Sequence, residues 1–99
     1  MKDLFVMVAL SFAEGVAVDA KALAEEMKVL GLDQNQKSTE GHPVVFPQYV
    51  FGGAVPSENR TETHRKIHRG LNGILKKLAL HGRFLIVVAP DVDWSCCHF

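Results

Sequence analysis

Neither sign of charge prevails in this 99-residue chain, where eleven Lys and Arg stand against eleven Asp and Glu. That balance excludes a supercharged nucleic-acid arm. Apolar residues at 47% and charged residues at 22% exclude a disordered tail and a collagen-like repeat. Cysteine is scarce, and the two present, Cys96 and Cys97, are adjacent. Neighbouring Cα atoms lie about 3.8 Å apart, short of the roughly 4.4–6.8 Å of an unstrained disulfide. No disulfide framework exists, so a reducing, cytoplasmic setting is expected.

No run is long enough to span a bilayer. Lys2 before the apolar stretch Leu4–Leu10, with Ala13 and Gly15 beyond it, imitates a short secretory signal. Asp3 cancels the positive start, and Phe12 and Glu14 make a poor cleavage context, so a buried first strand is expected. Without secretion the sequon Asn59-Arg60-Thr61 carries no meaning. Neither G-x-G-x-x-G nor a Walker loop occurs, and no Ser–His–Asp or Cys–His pattern stands in a specific context. No cofactor and no catalytic residue is therefore expected. A chain of this length forms one domain, 1–99 with a short tail from 90, burying roughly 65% of its unfolded surface. Its neutrality favours self-association, and a homodimer is expected.

What is present is strand and helix in alternation. Leu4–Leu10 is apolar without a break, as in a strand covered on both faces. Asp19 offers an N-cap to a helix carrying Leu23, Met27 and Leu30, which Gly31 closes. Residues 33–42 read as a polar loop. Val44–Phe51 reads as a strand with Pro47 inside it, hence an edge or bulge, ended by Gly52, Gly53 and Pro56. Ser57 or Thr61 then caps a long helix to about Leu80, with Ile67, Leu71, Ile74, Leu75 and Leu78 as its buried stripe. Gly82 breaks it, and Phe84–Ala89 forms a last apolar strand stopped by Pro90. The order predicts an α/β domain with a mainly parallel three-stranded sheet. One sheet edge is expected to pair in a dimer or lie under the tail.

Charge is unevenly spread along the chain. Residues 1–59 carry four basic and eight acidic side chains, a net of −4. Residues 60–83 carry Arg60, Arg65, Lys66, Arg69, Lys76, Lys77 and Arg83 against Glu62 alone, a net of +6. At roughly 100° per residue, Arg65, Arg69, Asn72 and Lys76 share one sector opposite the apolar stripe. Such a ridge tracks phosphates or docks on an acidic protein surface, although a solvated outer face is the ordinary use of Lys and Arg. No aromatic residue is interleaved with it, which argues against base stacking.

Gly70-Leu71-Asn72-Gly73 matches the G-x-x-G that clamps a nucleic-acid backbone in KH domains. The apolar stripe runs through both glycines, so a continuous helix with close packing at Gly70 and Gly73 is the plainer expectation. His64 and His68 share a helix face at a spacing that suits two metal ligands, which Cys96, Cys97 and His98 would complete. With only half a ligand set properly spaced, they read as hydrogen-bonded core histidines.

In an open parallel sheet, ligands sit outside the strands' carboxyl ends. That rule gathers Ser11, Phe12 and Glu14 with Gly52, Gly53 and Ser57, and with Asp91, Asp93 and Trp94, into one pocket. Ser57 and the following helix N-terminus would receive an anion there. Alternatively, Asp91 and Asp93 only turn the chain after Pro90.

Three stretches carry a resemblance. The first strand running into Ser11-Phe12, the segment His42-Pro43-Val-Val-Phe-Pro47, and Phe84 to Pro90 followed by Trp94-Ser95 cover roughly half the chain. They resemble the opening strand and ligand loop, the second strand with flanking prolines, and the third strand with its Trp–Ser turn in the small nucleoside deoxyribosyltransferase-like α/β family. The resemblance implies a shared fold and a nucleotide-sized pocket. That family's nucleophilic Glu, on a helix after the turn, has no matching position in this sequence.

The leading expectation is a small non-enzymatic binding module that presents the basic helix 60–83 to an acidic partner. That partner is nucleic acid or an acidic protein surface, and an inhibitor of a host or defence complex fits the second. A nucleotide or nucleoside pocket at the strand ends, in a reduced deoxyribosyltransferase-like enzyme, is the alternative. No membrane partner is expected.

Overall fold

The computed structural model describes residues 3–37, 43–45, 49–57 and 59–90. In chain order these form β1 (Asp3–Phe12), α1 (Ala20–Val29), β2 (Asn35–Lys37), β3 (Pro43–Val45), β4 (Val50–Pro56), α2 (Arg60–Lys77) and β5 (Gly82–Ala89). The three-stranded sheet has the order β4-β1-β5 and is antiparallel throughout. This corrects the parallel sheet expected from the alternation of strands and helices.

The reason lies between α1 and β4. A helical crossover alone would return the chain parallel to β1. Here β2 and β3 pair as an antiparallel two-stranded sheet, Asn35 opposite Val45 and Lys37 opposite Pro43. That reversal sends β4 back antiparallel to β1. Helix α2 then carries the chain from β4 to β5, which share one direction with β1 between them. The result is the split βαβ arrangement. The expected strand over 44–51 is thus two elements, and Pro47 lies outside the described residues. Gly52 and Gly53 sit inside β4 instead of ending it.

Burial along β1 alternates. Leu4, Val6, Val8 and Leu10 are buried, while Phe5, Met7 and Ala9 are half-buried. The first set faces the helices, where Val6, Val8 and Leu10 join Leu23 and Met27 of α1, Leu32, Phe51 of β4, Ile67, Leu71 and Ile74 of α2, and Leu80. Each such side chain stabilises the fold by about 1.5–3 kcal/mol. By register the other face carries Phe5, Met7 and Ala9 beside Val50, Ala54, Leu85 and Val87. An antiparallel sheet tolerates one less-covered face, and an unbroken apolar run does not betray it. The outer edge of β5 has no strand partner among the described residues.

Helix ends follow local chemistry. The Asp19 side chain accepts from the Ala22 N–H at 3.1 Å, as expected of an N-cap. At the other end, Gly31 N–H donates to Lys28 O and Leu32 N–H to Met27 O, at 2.9 and 3.1 Å. This is a Schellman closure with Gly31 at φ 82°. Helix α2 is capped by Asn59, midway between the expected Ser57 and Thr61 and in place of both: its side chain accepts from Glu62 N–H at 3.0 Å. Ser57 Oγ supports that cap by accepting from Asn59 N–H at 3.2 Å and from the buried Thr63 hydroxyl at 2.8 Å.

The C-terminal end of α2 repeats the Schellman pattern, Ala79 N–H to Lys76 O and Leu80 N–H to Leu75 O. Here the left-handed position is Ala79, at φ 55°. A Cβ there costs about 1–2 kcal/mol, and the extra chain entropy of glycine offsets part of that gain. Ala79→Gly is therefore expected to stabilise the protein by about 0.5–1 kcal/mol, a rise of roughly 2–8 °C in Tm for a domain of this size. Thermal unfolding followed by circular dichroism checks it; a lower Tm would show that the strain is absent.

Candidate partner-binding face of helix α2

Helix α2 buries Thr63, Ile67, Leu71 and Ile74, and exposes Arg65, Arg69, Asn72 and Lys76 on its outer side. The ridge stands where the sequence puts it. From Arg65 to Lys76 the rise is about 16 Å. The helix ends at Lys77, so the basic segment 60–83 is not one helix, and Arg83 stands on β5 opposite Ser11. Helix α2 runs unbroken through both glycines. At Gly70 a Cβ would lie 2.5 Å from Leu30 Cδ2, whereas at Gly73 nothing lies within 4 Å. Close packing thus holds at Gly70 only, and it seats the end of α1 against α2.

Folding accounts for only part of the charge on α2. Arg60, Arg65, Lys66, Arg69 and Lys76 form no ion pair among the described residues, while Lys77 is bound to Glu26 of α1. Arg60 opens the helix, where the macrodipole disfavours a cation. Arg65 and Arg69 repel one another at i, i+4, a loss of about 0.2–0.5 kcal/mol. Only Lys76 and Lys77, in the last turn, complement the dipole.

Two depressions adjoin this face. An open one of about 650 Å³ is lined by Asn59, Thr61, Glu62, Arg65, Lys66 and Arg69. A narrower one of about 330 Å³ lies between the end of α1, the end of β4 and α2. Val29, Leu30, Val55, Pro56 and Ile67 are its apolar walls, with Ser57, Glu62, Thr63 and Lys66 as its polar ones. Glu62 and Lys66 line both, so the two are contiguous. The second was missed in the sequence; its one signal is Val29, apolar yet off the Leu23–Met27–Leu30 stripe.

His64 and His68 are exposed, not core residues. Their rings are 6.1 Å apart, His68 stands edge-on to Phe84 at 5.3 Å, and Asn72 Nδ2 is 3.2 Å from His68 Nδ1. Asn72 is thereby partly engaged within its own helix. Among the described residues no group of three or more His, Cys, Asp or Glu side chains is placed to hold a metal ion. Cys96, Cys97 and His98 lie outside the described residues.

The strand-end pocket loses its geometric premise with the parallel sheet. Asp3 is opposite Pro56 and Phe12 is opposite Gly82. Ser11, Phe12 and Glu14 therefore lie at one end of the sheet and Ser57 at the other, about 30 Å away along β1. The cavity lined by Ser11 and Phe12 has about 10 Å³, against roughly 300–1,000 Å³ for a small-molecule site. Ser57 Oγ is occupied by Thr63 and Asn59. Asp91, Asp93 and Trp94 lie outside the described residues.

Fold and face together define a small split-βαβ domain whose helix α2, Lys77 apart, carries cations with no ion-pair partner among the described residues. Comparison with protein-family models, with curated proteins and with solved structures finds no match. Among the described residues no helix is long and apolar enough to cross a membrane.

Proposed function

We propose that this protein is a binding module whose α2 face, through Arg65, Lys66, Arg69 and Lys76, docks on an acidic partner. The observation that carries the reading is that these cations are exposed and unpaired among the described residues, and that Arg65 and Arg69 repel one another at the expense of the helix. Charges that do not serve the fold are explained by a partner that neutralises them.

Salt titration tests the proposal. Polyglutamate and a random-sequence duplex are each expected to bind at about 50 mM salt and to weaken steeply by about 200 mM. Three or four phosphate contacts on the duplex give a log–log slope near −3. Absence of binding to either polyanion at the lower salt would end the proposal.

A further inference from the structure

We infer that the preferred partner is an acidic protein segment bearing an apolar side chain, which enters the cleft walled by Val29, Leu30, Val55, Pro56 and Ile67 while its carboxylates lie on Arg65, Lys66 and Arg69. The inference rests on the reading of α2 as a docking face and deepens it. Three observations support it.

The cleft and the cationic depression are contiguous through Lys66, so one ligand reaches both. Among the described residues that line the two depressions Glu62 is the one acid, against Arg65, Lys66 and Arg69, so cations prevail on the described lining. Val29, on the wall of the cleft, is 82% exposed at the end of α1. A large apolar side chain in that position contributes little to the fold and is suited to cover an anchor. Protein interfaces concentrate their affinity in such pockets, with charged groups at the rim steering approach. At about 330 Å³ the cleft is at the lower end of ligand-site sizes, roughly 300–1,000 Å³, and it admits an anchor side chain, not a broad surface. Nucleic acid satisfies the cations but has no use for aliphatic walls, and none of the described residues that line the cleft is an aromatic that would stack a base.

The test is selection from a random 12-residue peptide display library on the full chain at about 0.15 M salt, with Val29→Gln as the counter-target. Val29 is exposed, so this variant keeps the fold, and its circular dichroism spectrum verifies that. Peptides enriched on the wild type are expected to combine Asp or Glu with a Leu, Phe, Met or Ile. The synthetic form of the best one is expected to lose about tenfold in affinity on Val29→Gln, and about tenfold when its anchor becomes Ala. On the variant, the anchor change should cost little more. Acidic peptides that need no apolar residue, or that bind both proteins alike, would overturn the inference and leave the docking face standing. A random-sequence duplex that binds more tightly than every selected peptide would overturn it in favour of nucleic acid. Failure to retain any acidic ligand would overturn both readings.

Discussion

Arg65→Glu combined with Arg69→Glu is expected to weaken binding of polyglutamate or duplex at about 50 mM salt by at least a hundredfold, on the order of 2.7 kcal/mol. The two residues share the outer side of α2, and no carboxylate among the described residues neutralises them. Reversal replaces two attractions with two repulsions at the centre of the ridge, and the change is least screened at low salt. The fold should barely register it, because both side chains are exposed; surface changes of this kind stay within about 0.5 kcal/mol each. An unchanged Tm beside lost binding, read by fluorescence anisotropy, is the expected result. Lys77→Gln is the control: it removes a cation already bound to Glu26, and its effect on binding should be small. Equal binding by the wild type and the double variant would exclude this face as the site.

Gly53→Ala is expected to lower stability by about 3 kcal/mol or more, a large share of the roughly 5–15 kcal/mol that holds a domain of this size together. A Cβ on Gly53 would lie 2.2 Å from the carbonyl oxygen of Gly31 and 3.3 Å from its carbon. Both are backbone atoms, so no side chain can swing away. The closing turn of α1 would have to leave β4. The paired bonds between Asp33 and Gly52, 2.9 Å in each direction, would be strained with it. Leu32, wholly buried beside that turn, would shift as well. At about 4–8 °C per kcal/mol, a fall of roughly 12 °C or more in Tm follows. Gly73→Ala gives the opposite sign: its Cβ meets nothing within 4 Å, and alanine is favoured over glycine in a helix by about 1 kcal/mol. Equal midpoints for Gly53→Ala and the wild type would contradict the close approach of α1 to β4.

These variants also mark how far the residues alone reach. The ridge and the stripe of α2 were legible because both are set by spacing within one segment. Residues three and four apart share a side of any helix, whatever surrounds it. The Asp19 cap and the Gly31 closure were legible for the same local reason. The Asn59 cap was not, because Ser57, Asn59 and Thr61 are all competent N-caps. Burial of Thr63, whose hydroxyl turns to Ser57, leaves Asn59 to close the helix. The histidines were misjudged because the wheel ranks sides of a helix but does not say how far the covering layer extends. His68 meets Phe84 of β5 only edge-on, and His64 and His68 remain exposed.

By itself, then, the sequence determined the two helices, their buried stripes, the first and last apolar strands and the sign of charge on α2, all of which depend on neighbours within a turn or two. Strand direction was decided only by tertiary structure. It turns on a three-residue strand, Asn35–Lys37, whose polar side chains carry no alternation, pairing with Pro43–Val45. One short hairpin reverses β4, and with it the ends of the sheet at which Ser11 and Ser57 stand. The cleft beside Val29 was likewise decided there, because it forms where three segments distant in sequence meet, and no periodicity within any of them records that meeting.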